Sequence, residues 1–273
     1  MATDTSQLTP VDQHVLVEKD GHVLTVTLNR PEAKNAFSPS MLVKMNDAWD
    51  LVDEDPDIRV AILTGAGGVF CAGADLKAMN DTQTEDADAK RFRADTGMTW
   101  KALLRHRQLT KPLIAAVEGH AVAGGTEILQ GTDIRVAGES ATFGVVEVTR
   151  ALFPLGGSTV RLRRQISYTK AAELLLTGDT ISATEAERIG LIGHVVPDGQ
   201  ALTKAREIAA KITRNGPLAV QAVKRSLVET EGLTEVEALK IEMDLGFKVF
   251  GANDAREGTL AFKEKREPHY TGT

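Results

Sequence analysis

The sequence alternates short apolar runs, typical of buried strands, with longer helical patterns over most of its first 200 residues. The predicted elements are a strand hairpin at 15–28, a helix at 38–53, strands at 59–63 and 113–117, a helix at 124–131, a strand at 134–137 and helices from 158 onward. Strands that alternate with helices favour an α/β class in which helices cover the sheets. From Ala201 the pattern is helix after helix. We therefore predict an α/β core at 1–200 and a helical C-terminal region at 201–273.

Local signals support several of these elements. Asp20-Gly21 lies between two strand-like runs and is typical of a β-hairpin turn. Ser38 and Pro39 are residue types that favour the N-cap and the first position of a helix. A further helical stretch is predicted to continue towards Arg107 and to end before Pro112.

Composition excludes some classes of function. The formal net charge is −6, from 32 basic and 38 acidic residues, so we expect no nucleic-acid partner. Cys71 is the only cysteine, and no CxxC or His-rich spacing predicts a metal site. The first ten residues are polar, and no apolar run approaches the roughly 20 residues that cross a bilayer. We expect a cytoplasmic protein with no membrane partner.

Two glycine-containing turns follow predicted strands, and they are the best candidates for a functional site. The first is Phe70–Lys77 and the second is Glu118–Glu127. Small residues let a ligand approach the backbone, and a turn or a helix start leaves N–H groups unpaired. Two such N–H groups that converge on one point could stabilise a polarised carbonyl oxygen. Glycine content alone is equally typical of tight packing turns.

Four stretches in order make the sequence similar to the enoyl-CoA hydratase/isomerase (crotonase) superfamily over nearly its whole length. They are Asn29-Arg30-Pro31 with Asn35-Ala36, Cys71–Lys77, Gly119–Glu127, and Phe143-Gly144 with Glu147, and a shorter match lies at 261–266. The resemblance implies a crotonase-like spiral core of ββα units. It also implies a homotrimer or a dimer of trimers. Apolar rows after Ala201 agree with a protein partner surface.

The resemblance assigns catalytic positions in this sequence. It implies that the N–H groups of Ala74 and Gly124 form an oxyanion hole for a thioester carbonyl. It implies that Glu127 activates a water molecule and that Glu147 moves a proton to the substrate. Glu147 has apolar neighbours, and burial of a carboxyl group among apolar residues raises its pKa. The expected activity is hydration of a 2-enoyl-CoA, because both carboxyl groups are present.

The resemblance also implies an acyl-CoA partner. Coenzyme A is part of this substrate, and we expect no separate cofactor. The expected binding positions are the backbone near Ala36 and Ala72, and Leu76. Lys77 and Lys265 are candidates for the phosphates, although lysines in such contexts are commonly solvated. Lys265 could reach a ligand on a neighbouring subunit.

Two departures from the family pattern concern the acyl group. Ala151 and Leu155 stand where many members have glycine, and a polar segment occupies 80–95. We expect these differences to reshape the acyl pocket. Two other functions stay open on the sequence. One is isomerisation or another crotonase-type activity, and the other is a non-catalytic scaffold or RNA-binding role.

Overall fold

The computed structural model describes residues 9–79 and 86–273. The strands within these residues are β1 (Val15–Asp20), β2 (Val23–Leu28), β3 (Val60–Gly65), β4 (Leu113–Val117), β5 (His120–Val122), β6 (Ile134–Gly138), β7 (Thr142–Gly144), β8 (Thr180–Ser182) and β9 (His194–Val196). The helices are α1 (Pro39–Glu54), α2 (Leu76–Met79), α3 (Ala87–Ala94), α4 (Met98–Ala102), α5 (Gly124–Leu129), α6 (Ser158–Gln165), α7 (Tyr168–Thr177), α8 (Ala183–Arg188), α9 (Ala201–Thr213), α10 (Pro217–Glu229), α11 (Glu235–Phe250) and α12 (Asn253–Glu264).

The strands form two sheets. The larger sheet has the order β1-β2-β3-β4-β6-β9, and only its β1–β2 pair is antiparallel. The smaller sheet has the order β5-β7-β8. In it β5 and β7 are parallel, while β7 and β8 are antiparallel. Since β4 belongs to the larger sheet and β5 to the smaller one, the chain crosses between the sheets at 118–119, at the start of the second glycine turn.

Both faces of the larger sheet are buried. Along β3, Ala61 and Leu63 belong to the main core with α1, whereas Val60 and Ile62 face a second core. That second core is closed by the alanine row of α9. Side chains alternate between the two faces of a strand, so a strand covered on both sides becomes a continuous apolar run. This is why 60–63 carries no polar residue.

The first long helix shows how local signals and packing agree. Ser38 accepts a hydrogen bond from the Met41 N–H at 3.2 Å, and Pro39 is the first helical residue. Trp49 is fully buried and donates from its indole nitrogen to the Ala102 carbonyl at 2.9 Å. This bond attaches α4 to α1.

The α/β class and most elements predicted from the sequence are confirmed. The prediction of a helix that continues to Arg107 is wrong. Helix α4 ends at Ala102, and Leu104 has a positive φ of 56°. A residue in this conformation stops a helix. The three-residue strands β5, β7, β8 and β9 were not predicted, because three residues are too few to show a period.

The C-terminal helices differ among themselves in how they contact the core. Helix α9 packs on β3, β4 and β6, although it lies in the predicted C-terminal region. The boundary at residue 201 stays a prediction. Helix α10 is attached through Lys224, whose Nζ donates to Asp133 at 2.7 Å and to the Lys111 carbonyl at 2.8 Å. Within the described part of the chain, no helix is long and apolar enough to span a membrane.

Candidate active site

The two glycine turns lie side by side. The Cys71 N–H donates to the His120 carbonyl at 2.9 Å, and the Val122 N–H donates to the Cys71 carbonyl at 3.0 Å. On the other side of the first turn, the Phe37 N–H donates to the Gly73 carbonyl at 2.8 Å. Three distant segments, near residues 36, 73 and 122, therefore form one continuous backbone surface.

Two N–H groups on this surface have no protein acceptor. Among the described residues, neither Ala74 nor Gly124 donates a backbone hydrogen bond. A Cβ added to Gly73 would lie 3.2 Å from the Gly124 nitrogen, which shows how closely the two turns approach. The backbone at position 73 also has a φ of 92°, a conformation that favours glycine over other residues. Two unpaired donors on adjacent backbone segments are what an oxyanion hole requires.

The residue before Gly124 has a strained backbone. Ala123 has φ of 50° and ψ of −126°, a conformation that residues other than glycine rarely adopt. Its N–H donates to the Gly144 carbonyl at 2.8 Å, and its carbonyl accepts the Thr126 and Glu127 N–H groups. The bend at Ala123 starts α5 at Gly124. It leaves the Gly124 N–H outside the helical hydrogen-bond pattern, as at any helix N-terminus.

Glu127 is buried, with 5% of its surface exposed. Its Oε1 accepts a hydrogen bond from the Ser158 N–H at 3.3 Å, at the start of α6. A Cβ at Gly156 would lie 2.4 Å from Glu127 Oε2, so the carboxyl group lies directly on the Gly156 backbone. Burial raises the pKa of Glu127, and hydrogen bonds from Ser158, Gly156 and Gly157 oppose that rise.

Glu147 has a different environment. It begins a 3-10 helix, Glu147–Arg150, and its Oε2 is buried with no hydrogen-bond partner among the described residues. Burial raises the pKa of Glu147 to about 7, the charge of Glu127 adds to the rise, and Arg150 opposes it. Like charges interact appreciably only at short range in protein, so the effect of Glu127 on Glu147 indicates that the two carboxyl groups are near each other.

An arginine that the sequence analysis gave no role connects both sides of the first turn. Arg30 donates from Nη1 to the Ala36 carbonyl at 2.8 Å and from Nη2 to Asp75 Oδ2 at 3.0 Å. Asp75 Oδ1 accepts the N–H groups that begin α2. Burial acts to raise the pKa of Asp75, but the Ala78 N–H and Arg30 bonds lower it overall. Arg30 thereby holds the backbone around Ala74.

The predicted coenzyme A positions fall into three groups. The segments that carry Ala36 and Ala72 are hydrogen-bonded to each other, because the Ala72 N–H donates to the Lys34 carbonyl at 3.0 Å. Leu76 is 55% exposed in α2, and Lys77 follows it on the same short helix. Lys265 is exposed at the end of α12, and no described hydrogen bond or ion pair connects it to the other predicted residues.

The chain between Glu147 and Gly156 is an exposed apolar loop. Leu152, Phe153 and Leu155 are 48%, 63% and 53% exposed. Ala151 has φ of 55° and ends the 3-10 helix. Its left-handed backbone accounts for a preference for glycine at this position without reference to pocket volume. The predicted polar segment lies partly outside the described residues at 80–85, and its remainder forms α3, which ion pairs attach to α1.

Cys71 has no catalytic character. It is buried, and burial raises the pKa of its thiol to about 12. A Cβ at Gly125 would lie 2.4 Å from the Cys71 carbonyl oxygen. Cys71 is therefore a small side chain packed in the tight contact between the two turns.

The sequence analysis missed the residues that hold Glu127. Gly156 and Ser158 contact its carboxyl group from about 30 positions further along the chain. Gln130 lies one helical turn after Glu127 and donates to Ser158 Oγ at 2.7 Å. The dipeptide Gly156-Gly157 before a serine at a helix start was a signal that could have identified this contact.

Comparison with known proteins agrees with this geometry. The enoyl-CoA hydratase/isomerase family matches residues 18–273. The enoyl-CoA hydratase EchA19 of Mycobacterium tuberculosis is 62% identical, over 93% of this chain and 95% of its own length. The (E)-benzylidenesuccinyl-CoA hydratase of Thauera aromatica is 39% identical, over 94% of this chain and 99% of its own. The chain belongs to the enoyl-CoA hydratase/isomerase family.

Solved structures show the same fold. An enoyl-CoA hydratase from Mycobacterium tuberculosis superposes with a TM-score of 0.87 at 44% identity, covering 95% of this chain and 99% of that one. The enoyl-CoA hydratase from Bacillus anthracis has a TM-score of 0.87 at 38% identity, covering 96% of this chain and 100% of its own. The predicted crotonase-like core is therefore confirmed.

Proposed function

We propose that this protein is an enoyl-CoA hydratase, a hydro-lyase that adds water across the 2,3-double bond of a 2-enoyl-CoA in fatty-acid or related acyl-CoA degradation. The feature that carries the proposal is the presence of two buried carboxyl groups, Glu127 and Glu147: burial raises the pKa of both, and the charge of Glu127 acts on Glu147. Moving a double bond needs one proton carrier. Adding water needs a group that takes a proton from water and a group that gives one to carbon.

The thioester carbonyl would accept hydrogen bonds from the N–H groups of Ala74 and Gly124. These bonds draw electron density from the conjugated double bond and make C3 electrophilic. As negative charge moves onto the oxygen in the transition state, both bonds strengthen. The loss of one such donor typically costs about 3–4 kcal/mol of transition-state stabilisation.

The two carboxyl groups would divide the proton transfers. Ionised Glu127 takes a proton from the water whose oxygen bonds to C3. Protonated Glu147 gives a proton to C2 as the double bond breaks. Its pKa of about 7 lets it hold that proton near neutral pH. After product leaves, Glu127 is protonated and Glu147 is ionised, and proton exchange restores the starting state.

The test is a direct assay. Purified protein is mixed with a 2-enoyl-CoA, and the loss of the absorbance of the conjugated thioester is followed. Formation of a 3-hydroxyacyl-CoA supports the proposal. A parallel incubation with a 3-enoyl-CoA detects isomerisation. Turnover of the 3-enoyl-CoA without hydration of any 2-enoyl-CoA would show that the protein is an isomerase and not a hydratase.

We propose that the acyl group is bulkier than crotonyl. Leu152, Phe153 and Leu155 supply apolar surface in the loop that joins Glu147 to Gly156. Burial contributes about 0.8 kcal/mol for each methylene, so a small acyl group would leave this surface unused. Two relatives are named for mevalonyl-CoA and benzylidenesuccinyl-CoA, and the acyl groups of these compounds are branched or aromatic. A kcat/KM series over acyl size decides the point, and a maximum at four carbons would contradict it.

We propose that coenzyme A binds along Ala36, Ala72 and Leu76, and that no separate cofactor is needed. Lys77 and Lys265 would contact its phosphates. Lys77→Ala and Lys265→Ala should raise KM and leave kcat nearly unchanged, since both contacts are distant from the reacting atoms. An unchanged KM in either variant removes that lysine from the site.

We also propose a cytoplasmic homotrimer or dimer of trimers. Support comes from large apolar side chains exposed on the C-terminal helices, namely Val223, Leu227, Leu239, Met243, Phe247, Phe250 and Phe262. Exposed apolar patches of this extent are typical of interfaces. Light scattering at micromolar concentration measures the mass. The mass of a single chain would refute the proposal.

A further inference from the structure

A buried polar chain lies behind Glu127 and takes no part in the mechanism described above. Gln130 is 4% exposed, and Ser158 is fully buried. Polar side chains buried to this degree are almost always hydrogen-bonded, and their partners are therefore informative. Here the partners lead from α5 to the start of α6 and then to the carboxyl group of Glu127.

The direction of these hydrogen bonds can be worked out. The Gln130 Nε2 lies 3.3 Å from the Thr126 carbonyl oxygen and 2.7 Å from Ser158 Oγ. A carbonyl oxygen can only accept, so the NH2 end of the Gln130 amide faces it, and Gln130 Oε1 is buried with no partner among the described residues. The Ser158 hydroxyl oxygen then accepts from Gln130. Its own hydrogen is left to donate elsewhere.

Glu127 lies beside Ser158, so its carboxyl group is a candidate acceptor for that hydrogen. The Ser158 N–H already donates to Glu127 Oε1 at 3.3 Å, so the residue lies against the carboxyl group. The hydroxyl of Ser158 also lowers the pKa of Glu127, in opposition to burial. The other charged groups that act on this region are Glu147 and Arg161.

We propose that Ser158 and Gln130 are positioning residues for Glu127. Ser158 donates its N–H to the carboxylate at 3.3 Å, and Gln130 donates to the Ser158 hydroxyl oxygen at 2.7 Å, which leaves the Ser158 O–H to be directed at Glu127. A carboxylate that receives two donors is favoured in its ionised form and held in one rotamer. Glu127 is thereby set as the proton acceptor. Glu147, whose Oε2 has no partner among the described residues, is left as the proton donor. This inference rests on the proposed hydration.

The first experiment compares three single variants in the full-length protein. Ser158→Ala removes the hydroxyl and keeps the N–H, and should lower kcat about tenfold, the value of one hydrogen bond to a charged group. The acidic limb of the kcat/KM profile should move to higher pH, because Glu127 loses a donor that stabilised its charge. Ser158→Thr should restore both. Gln130→Met should give a smaller change in the same direction.

The control is Thr64→Val. Thr64 is also buried, and its hydroxyl donates to the Ala116 carbonyl at 2.9 Å, away from the carboxyl groups. The Thr64→Val variant should leave the pH profile of kcat/KM unchanged. The double variant Ser158→Ala with Gln130→Met should resemble Ser158→Ala alone, since Gln130 acts through Ser158. An unshifted acidic limb in Ser158→Ala overturns the proposal.

A second measurement does not depend on catalysis. Infrared spectroscopy follows the carboxylic-acid C=O band that disappears in Glu127→Gln, and its pH titration gives the ionisation of Glu127 directly. Titration at higher pH in Ser158→Ala than in the wild type supports the positioning role. An identical titration rejects it. If the wild type hydrates no enoyl-CoA, the proposed function fails, while this titration still decides the role of Ser158.

Discussion

The two carboxyl groups of the site lie in contrasting surroundings. Glu127 lies on α5 and contacts donors from the start of α6. Glu147 begins a short 3-10 helix, next to an exposed apolar loop, and one of its oxygens has no described partner. Burial raises the pKa of both, but only Glu127 has several donors that oppose the rise. Identical side chains acquire different proton affinities because their neighbours differ.

This difference has a consequence for how variants should behave. Changes near Glu127 should act through the donors that hold its carboxyl group, because those donors set both its position and its ionisation. Changes near Glu147 should act through ionisation, because desolvation dominates its pKa. Four predictions test this distinction, from the largest expected effect to the smallest.

The largest effect is expected when either carboxyl group is neutralised. Glu127→Gln and Glu147→Gln should each lower kcat by at least about 100-fold, the contribution of one general acid or base, with a smaller change in KM. Steady-state hydration kinetics give both parameters. Glu139→Gln, on the exposed surface, is the control and should behave as wild type. Near-normal turnover in both active-site variants would contradict the paired mechanism.

Next, Gly156→Ala should act on Glu127 alone. Its Cβ would lie 2.4 Å from Glu127 Oε2, so the carboxyl group must move. Small displacements of catalytic groups cost one or two orders of magnitude, and we expect kcat to fall about tenfold. Gly246→Ala in α11 is the matched control, because no atom lies within 4 Å of its added Cβ. Equal kinetics in the two variants would show that the Gly156 contact does not position Glu127.

The third prediction concerns the effect of Glu147 on the stability of the protein. Its pKa in the folded protein, about 7, is above the ordinary value of 4.5. The folded state therefore binds the proton more tightly than the unfolded state. The stabilisation that comes from this tighter proton binding is fully present below pH 4.5 and is lost as pH rises through 7. Glu147→Gln should remove this loss and unfold at higher denaturant concentration than wild type at pH 8. Parallel pH dependence in the two proteins would show that the pKa is not raised.

The smallest effect is expected at Ala151, where the left-handed backbone is strained. Ala151→Gly should relieve that strain and stabilise the protein by up to about 1 kcal/mol, without change in kcat. Ala210→Gly, at an exposed position inside α9, should instead destabilise by about 1 kcal/mol. Denaturant unfolding measures both. The same sign in the two variants would show that strain at Ala151 is negligible.

The sequence by itself determined the α/β class, most long elements and the two glycine turns. These features depend on neighbours in the chain: the apolar run at 60–63, the cap at Ser38, and the small residues around Gly73 and Gly124. Helix α4 shows the limit of such signals. Its end at Ala102 follows from the positive φ of Leu104, which no residue type in this stretch predicts.

Only the tertiary structure decided which residues share the site and how they ionise. Gly156 and Ser158 reach Glu127 from a distant part of the chain, and no local period encodes that approach. The pKa of Glu147 depends on burial and on the charge of Glu127, twenty positions away in sequence. The glycine preference at Ala151, which the sequence suggested was a matter of pocket volume, follows from a positive φ. Desolvation and close contact are properties of packed atoms, so they exist only once the chain has folded.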